Sequence, residues 1–179
     1  MEAKPSSDIA FTASVKAMQS RRGSREAYAR MEARGGFQTK ITPDLVDFLT
    51  EVDTAYLATA SAAGQPYAQH RGGPKGFIRV LDETTLGFAD YAGNRQYITL
   101  GNLAENEQAF LFLMDYANRR RIKIWGRARV VEDDAELVSR LMPRGYAARA
   151  EQVVLFKVKA LGRELSAPHP TEARCRRSG

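Results

Sequence analysis

Apolar positions along the chain change period near Thr54, and that change divides the sequence into a helical part and a strand part. Before it, Val15 and Met18, then Tyr28 and Met31 beyond Gly23, recur at helical spacing, with Ser24 and Ala27 placed as cap and first turn and Gly35-Gly36 as a stop. Two short helices are expected there. Thr42 reads as the cap of a third, opened by Pro43, with Leu45, Val46, Phe48 and Leu49 as its apolar face. From Thr54 the pattern alternates or runs apolar over short stretches: TAYLATA, a turn at Ala63-Gly64, PYAQHR, GFIRVLD, a turn at Asp82-Glu83, and TLGFAD. Tight turns between these four segments predict an antiparallel meander. A helix from Arg95 to about Glu105 follows, then strands QAFLFLMDYA, RIKIWGRARVVE and QVVLFKVKAL, the last two separated by a short helix in DDAELVSRLM with Asp133 or Asp134 near its cap. Many strands with few helices, and edges that need cover, predict a mainly β protein closed or nearly closed into a barrel. The expected organisation is an N-terminal helical extension over 1–40, a barrel domain over 41–160 and a disordered or loosely attached tail over 161–179.

Composition narrows the class. At 179 residues, 44% hydrophobic and 27% charged, the chain has the balance of one globular domain with extensions. Neither a long apolar run nor a signal-like N-terminus is visible, so no membrane span is expected and the cytoplasm is the expected compartment. The single cysteine, Cys175, lies in a polar basic tail with only His169 near it, which offers neither a disulfide framework nor a metal site. The net charge of +6 suits a phosphate-bearing ligand or simply a basic surface. The basic residues are scattered among Arg21, Arg22 and Arg25, Arg119 to Arg121, and Arg174, Arg176 and Arg177, without a nucleic-acid module, which weighs against nucleic acid as a partner. Paired-carboxylate spacing and G-x-S-x-G are both missing from the sequence.

The most informative stretch is Thr85 to Phe112, TLGFADYAGNRQYITLGNLAENEQAFLF, read as strand, glycine turn, helix start and strand. Unpaired N–H groups and the dipole at a helix start favour an anion, and Asn94, Arg95 and Gln96 at that point complete a phosphate cradle. Upstream, strand alternation sets His70 on the face opposite Gln69 and Arg71, so one set lines a pocket unless Gly72 and Gly73 bend the strand; Gln69 and Arg71 are the favoured set. Trp125 is expected to pack in the core or at an interface.

The ordered pieces GQPYAQHRGGP, TLGFADYAGNRQYITLGNLAEN and AFLFLMDYANRRRIKIWGRARVVE, from about Thr42 to Val158, resemble the pyridoxamine 5′-phosphate oxidase-like family of flavin-mononucleotide-binding split barrels. The resemblance implies a six-stranded antiparallel split β-barrel with flanking N-terminal helices, and a homodimer with FMN at the interface. It equates Asn94-Arg95-Gln96 with the family's serine-arginine-lysine phosphate clamp, Gln96 standing where the family has lysine, so that Lys75 or Arg71 would have to supply a second cation. Gln69 falls where the family has an arginine, with His70 and Arg71 next to it. Ala89 and Asp90 fall at the ring edge. Arg121 takes the place of a glutamine that approaches the ring across the dimer. The family's substrate-phosphate tyrosine and arginine and its C-terminal R-L-H-D-R segment are missing, which speaks against vitamin B6 oxidation. The expected activity is an FMN-dependent oxidoreductase using a small-molecule electron donor or acceptor, with no catalytic side chain assigned. The alternatives are a haem-binding or haem-degrading split barrel, with His70 as ligand, and a non-enzymatic basic module for anions or nucleic acid.

Overall fold

A computed structural model describes residues 4–165. The tail with His169 and Cys175 lies outside the described residues. Helices α1 (Ala13–Arg22), α2 (Arg25–Ala33) and α3 (Pro43–Glu51) precede β1 (Thr54–Ala60), β2 (Pro66–Gly72), β3 (Arg79–Asp82) and β4 (Thr85–Tyr91). Then come α4 (Ile98–Glu105), β5 (Gln108–Asp115), β6 (Arg120–Val131), α5 (Ala135–Leu141) and β7 (Ala150–Leu165).

Local chemistry accounts for the helix boundaries. Thr12, Thr42 and Asp134 each accept a hydrogen bond from a first-turn N–H, and Gly23 ends α1 in the left-handed region at φ 80°. Leu45, Phe48 and Leu49 form the buried face of α3, whereas Val46, expected to join them, is 40% exposed. The helix is tied to the barrel by the Arg120 guanidinium, which lies 5.3 Å from the centre of the Phe48 ring.

All seven strands form one antiparallel sheet in the order β2-β1-β5-β6-β7-β4-β3, one strand more than the six expected. The expected meander is corrected at its centre. β1–β2 and β3–β4 are hairpin pairs, but β2 and β3 sit at opposite edges. The segment between them explains why: Pro74 has no N–H to donate, Gly76 takes φ 74°, and Phe77 and Ile78 are both buried in succession. GFI therefore plugs the core instead of starting a strand, and β3 begins only at Arg79.

The last strand also departs from expectation. β7 pairs with β6 as far as Arg120 opposite Leu165, so residues 161–165 are strand and not tail. A bulge hides this continuity from the sequence: Trp125 pairs with Ala160 but Gly126 with Val158, leaving Lys159 as an extra residue that breaks the alternation. Gly126 is required here, since a methyl at its position would overlap the Lys157 carbonyl oxygen and the Phe156 ring.

The N-terminal extension packs against the outside of the same two strands. Phe37 stacks on Trp125 at 5.3 Å, Phe11 meets Phe37 edge-on at 5.4 Å, and the Leu161 N–H donates to the Gln38 carbonyl at 2.8 Å. Inside, Leu57, Leu86, Leu111, Leu113, Ile124, Val154 and Phe156 are fully buried in one cluster.

The sheet curls tightly. β2 and β4 are five strand spacings apart in the hydrogen-bonded order, roughly 24 Å if the sheet were flat. Yet the Arg71 guanidinium on β2 is paired with the Asp90 carboxylate on β4, and Gln152 Nε2 on β7 donates to the other Asp90 oxygen at 2.9 Å. Both charged side chains are about nine-tenths buried. Removing one partner would strand a buried charge at a cost of about 3–5 kcal/mol, whereas replacing the whole pair with apolar groups is often close to neutral. Arg71→Met is therefore expected to lower the urea midpoint sharply and Arg71→Met/Asp90→Leu to recover most of the loss; equal loss in both variants would contradict a pairwise clamp.

Asp115 organises the β5–β6 hairpin. The Asn118 side chain, then Arg120, then the Asn118 backbone N–H donate to its carboxylate and lower its pKa from 3.8 to about 2. Because the folded pKa is the lower one, this contribution is present above the ordinary carboxylate value and is lost as pH falls from about 4 towards 2. Asp115→Asn should flatten the acid limb of the stability profile in that window, measured by urea unfolding across pH.

Candidate functional site

A cleft opens where the two margins of the curled sheet meet the start of α4. On β2, alternation places Tyr67, Gln69 and Arg71 towards it and Pro66, Ala68 and His70 on the other, exposed face. Gln69 Oε1 accepts from Thr99 Oγ1 at 2.8 Å, and Asn102 Nδ2 donates to Thr59 Oγ1 at 3.0 Å. These two bonds, together with buried Leu103, fix α4 across the barrel end.

The turn before α4 is built from left-handed backbone. Arg95 has φ 59° and Tyr97 φ 54°, so the helix begins at Ile98, three residues later than the sequence suggests. Helical dihedrals cannot extend back through such residues. Asn94 Oδ1 accepts from the Gln96 N–H at 3.3 Å, no side chain caps the helix, and its first turn faces the cleft. The exposed Arg95 guanidinium donates through Nε to the Tyr97 hydroxyl at 3.1 Å; Tyr97 first, and then the Glu151 carboxylate, raise its pKa.

Of the residues nominated from sequence, Gln69, Arg71, Asp90, Asn94, Arg95 and Gln96 come together in this cleft. Four do not. His70 projects to the other face of β2, where Nε2 is 2.6 Å from Thr54 Oγ1 and the ring meets Tyr56 edge-on at 5.6 Å. Lys75 is exposed beyond the double glycine, lies 3.3 Å from Glu51 and does not line this cleft. Ala89 is buried on the face of β4 opposite Asp90, the side on which Gly87 approaches Leu141 of α5. Arg121 lies on the outer face of β6 with Lys123 and Trp125 and does not line its own chain's cleft.

The structure adds residues that the sequence did not mark. Tyr67 shares the Gln69–Arg71 face and was detectable by period two. Glu151 and Gln152 were not, because a break in the β4–β7 register at Asp90/Tyr91 brings them in: Asp90 pairs with Gln152 and Tyr91 with Ala150, leaving Glu151 as the extra residue. Tyr91 packs edge-on against Tyr146 at 5.2 Å, and burial, followed by the Tyr146 charge, raises its hydroxyl pKa.

Two buried polar atoms at this site have no hydrogen-bond partner, Arg71 Nε and the Tyr91 hydroxyl. Arg71's charge is answered by Asp90 and Arg95's in part by Glu151. The cleft thus offers donors around a nearly balanced charge. Its enclosed volume is only about 40 Å³, far below the roughly 300–1,000 Å³ of sites that bury a whole small molecule. Among the described residues no group of three or more His, Cys, Asp or Glu is placed to hold a metal, and no helix is long and apolar enough to cross a membrane.

The fold matches solved structures at low sequence identity. The HupZ protein of Group A Streptococcus aligns with TM-score 0.57 and 19% identity over 71% of this chain and 96% of that one. A candidate pyridoxamine 5′-phosphate oxidase from Lactobacillus delbrueckii gives 0.53 and 22% over 70% and 95%. An FMN-binding protein from Syntrophomonas wolfei gives 0.52 and 10% over 83% and 99%. No curated protein matches the chain. The sequence profile of the pyridoxamine 5′-phosphate oxidase family matches residues 41–168, which takes in every strand and the whole cleft, and the chain belongs to that family.

Proposed function

We propose that the chain binds flavin mononucleotide in this cleft and works as a flavin-dependent oxidoreductase on a small-molecule partner. The observation that carries the reading is the meeting, at one cleft, of an uncapped helix start, the exposed Arg95 and two buried donors without partners, Arg71 Nε and the Tyr91 hydroxyl. A phosphate monoester supplies an acceptor to the helix N–H groups and to the Arg95 N–H groups not engaged by Tyr97, with Arg71 Nε and the Tyr91 hydroxyl beside it as unused donors. Arg95 and the first-turn N–H groups would hold it, Asn94 keeps the turn in shape through the Gln96 N–H, and Gln69 fixes α4 through Thr99. A flavin bound there would supply hydride transfer; the protein supplies orientation and electrostatics.

The small volume of the cleft supports assembly. One chain encloses space for a phosphate and little else, so the rest of a mononucleotide needs a second wall, and a second copy of the chain is the reading that agrees with the family resemblance. Arg121, on the outer face of β6, could reach a flavin only from such a copy. The haem alternative would need His70 as its ligand, and that ring stands on the face of β2 away from the cleft, with Nε2 2.6 Å from Thr54 Oγ1.

The visible spectrum of freshly purified protein should carry oxidised-flavin bands, and a protein that stays colourless after mixing with FMN and desalting would refute the proposal. Arg95→Ala is expected to weaken FMN binding by about tenfold to a hundredfold, the scale of one hydrogen bond to a charged group. Tyr91→Phe separates ligand binding from folding. Removing a buried hydroxyl that has no partner should leave the free protein as stable or more stable, while FMN affinity falls several-fold, as measured by denaturation and by flavin fluorescence titration.

A further inference from the structure

Far from the cleft, on the outer face of the sheet, Arg127 and Arg129 of β6 lie beside Lys157 and Lys159 of β7 around a second depression of about 410 Å³. Arg127 and Lys157 are directly opposed in the ladder, an arrangement in which like charges repel. Lys159 is the extra residue of the β7 bulge, a geometry that re-aims side chains. The neighbouring carboxylates compensate weakly. Glu107 is 3.9 Å from Arg127 and Asp82 is 4.0 Å from Lys157, both pairs solvent-exposed and at the limit of ion pairing. The side chains of Arg129 and Lys159 make no ion pair or hydrogen bond among the described residues.

We infer that this depression is a second anion site, taking a compact ligand with two adjacent phosphoryl groups, such as a pyrophosphate or the diphosphate of a nucleotide. Strand geometry sets the scale: cations two residues apart along a strand are separated by about 7 Å, and those on adjacent strands by about 5 Å. Antiparallel register sets Arg129 to one side of the opposed Arg127–Lys157 pair and Lys159 to the other, and all four side chains line the one depression, so two linked phosphoryl groups seated at the central pair would meet a further cation on either side. Thr85 adds a hydroxyl at the margin, 3.4 Å from Lys157 Nζ. The patch has no aromatic side chain on which a base could stack, which argues for a compact anion over a single-stranded nucleic acid. The site is separate from the flavin cleft, since Thr85 and Asp90 stand at opposite ends of β4, about 17 Å apart.

Calorimetric titration of the full chain with inorganic pyrophosphate tests the inference. One pyrophosphate per chain is expected, with affinity that falls as salt rises and is at least about tenfold weaker in Arg129→Gln/Lys159→Gln. The charge-retaining Arg129→Lys/Lys159→Arg variant should keep most of the affinity, and Arg95→Ala should leave it unchanged. Both substituted side chains are exposed and unpartnered, so flavin retention should be the same in each double variant as in the parent. Unaltered affinity in the charge-removing variant would overturn the site. Loss of affinity in Arg95→Ala would move the anion to the cleft, and tighter binding of an oligonucleotide spanning several nucleotides per chain would replace the compact ligand with nucleic acid.

Discussion

The contact on which the rest of the structure depends is the buried pairing of Arg71 with Asp90, braced by Gln152. It joins strands that stand first and sixth in the sheet order and so holds a curled sheet with its margins together. Opening that contact would separate the walls of the cleft, because β2 contributes one wall and β4 and β7 the other. Its net contribution to stability is modest in principle, since desolvating two charges offsets much of their attraction. Its larger effect is geometric. The register of β2 on β1 that sets Arg71 against Asp90 also aims Gln69 at Thr99 and Tyr67 at the cleft.

The same contact shapes the electrostatics of the site. With Asp90 answering Arg71, the nearest exposed cation for a ligand is Arg95, which stands outside the helix on left-handed backbone and shares its field with Glu151. A phosphate here would be held by one guanidinium and by directional donors. Gln96 brings an amide and no charge to this turn, and Lys75 lies outside the cleft, 3.3 Å from Glu51. Oriented donors in a partly buried cleft carry more weight than a distant surface charge, because water screens the latter.

Bulges do comparable work in both halves of the sheet. At Asp90/Tyr91 the break in register turns Glu151 and Gln152 towards the cleft. At Trp125/Gly126 it frees Lys159 from the ladder and brings the Lys157 carbonyl against Gly126. Both sites lie on β7, whose length lets it pair with β6 on one side and β4 on the other. The N-terminal extension covers part of the outer surface of this strand pair through Phe37 on Trp125, and Arg129 and Lys159 stay exposed beyond that contact.

Much of this was legible in the residues. Thr42-Pro43 announced α3 and Gly23 the end of α1, and alternation placed Gln69 and Arg71 on one face with His70 on the other, because caps, φ preferences and the period of a strand are local properties. The order of strand, glycine turn, helix and strand around Asn94-Arg95-Gln96 likewise pointed to the family and to the turn that borders the cleft. Tertiary structure alone decided which strands became neighbours, so that β2 and β3, adjacent in sequence, lie at opposite edges with Phe77 and Ile78 buried between them. It alone set Asp90 against Arg71, brought in Glu151 and Gln152 through a bulge, turned Lys75 and Arg121 away from the cleft, and kept residues 161–165 in β7. Each of these depends on hydrogen bonds between segments distant along the chain, and a ladder can hold a residue in place or slip it by one position without leaving any trace in the local hydrophobic pattern.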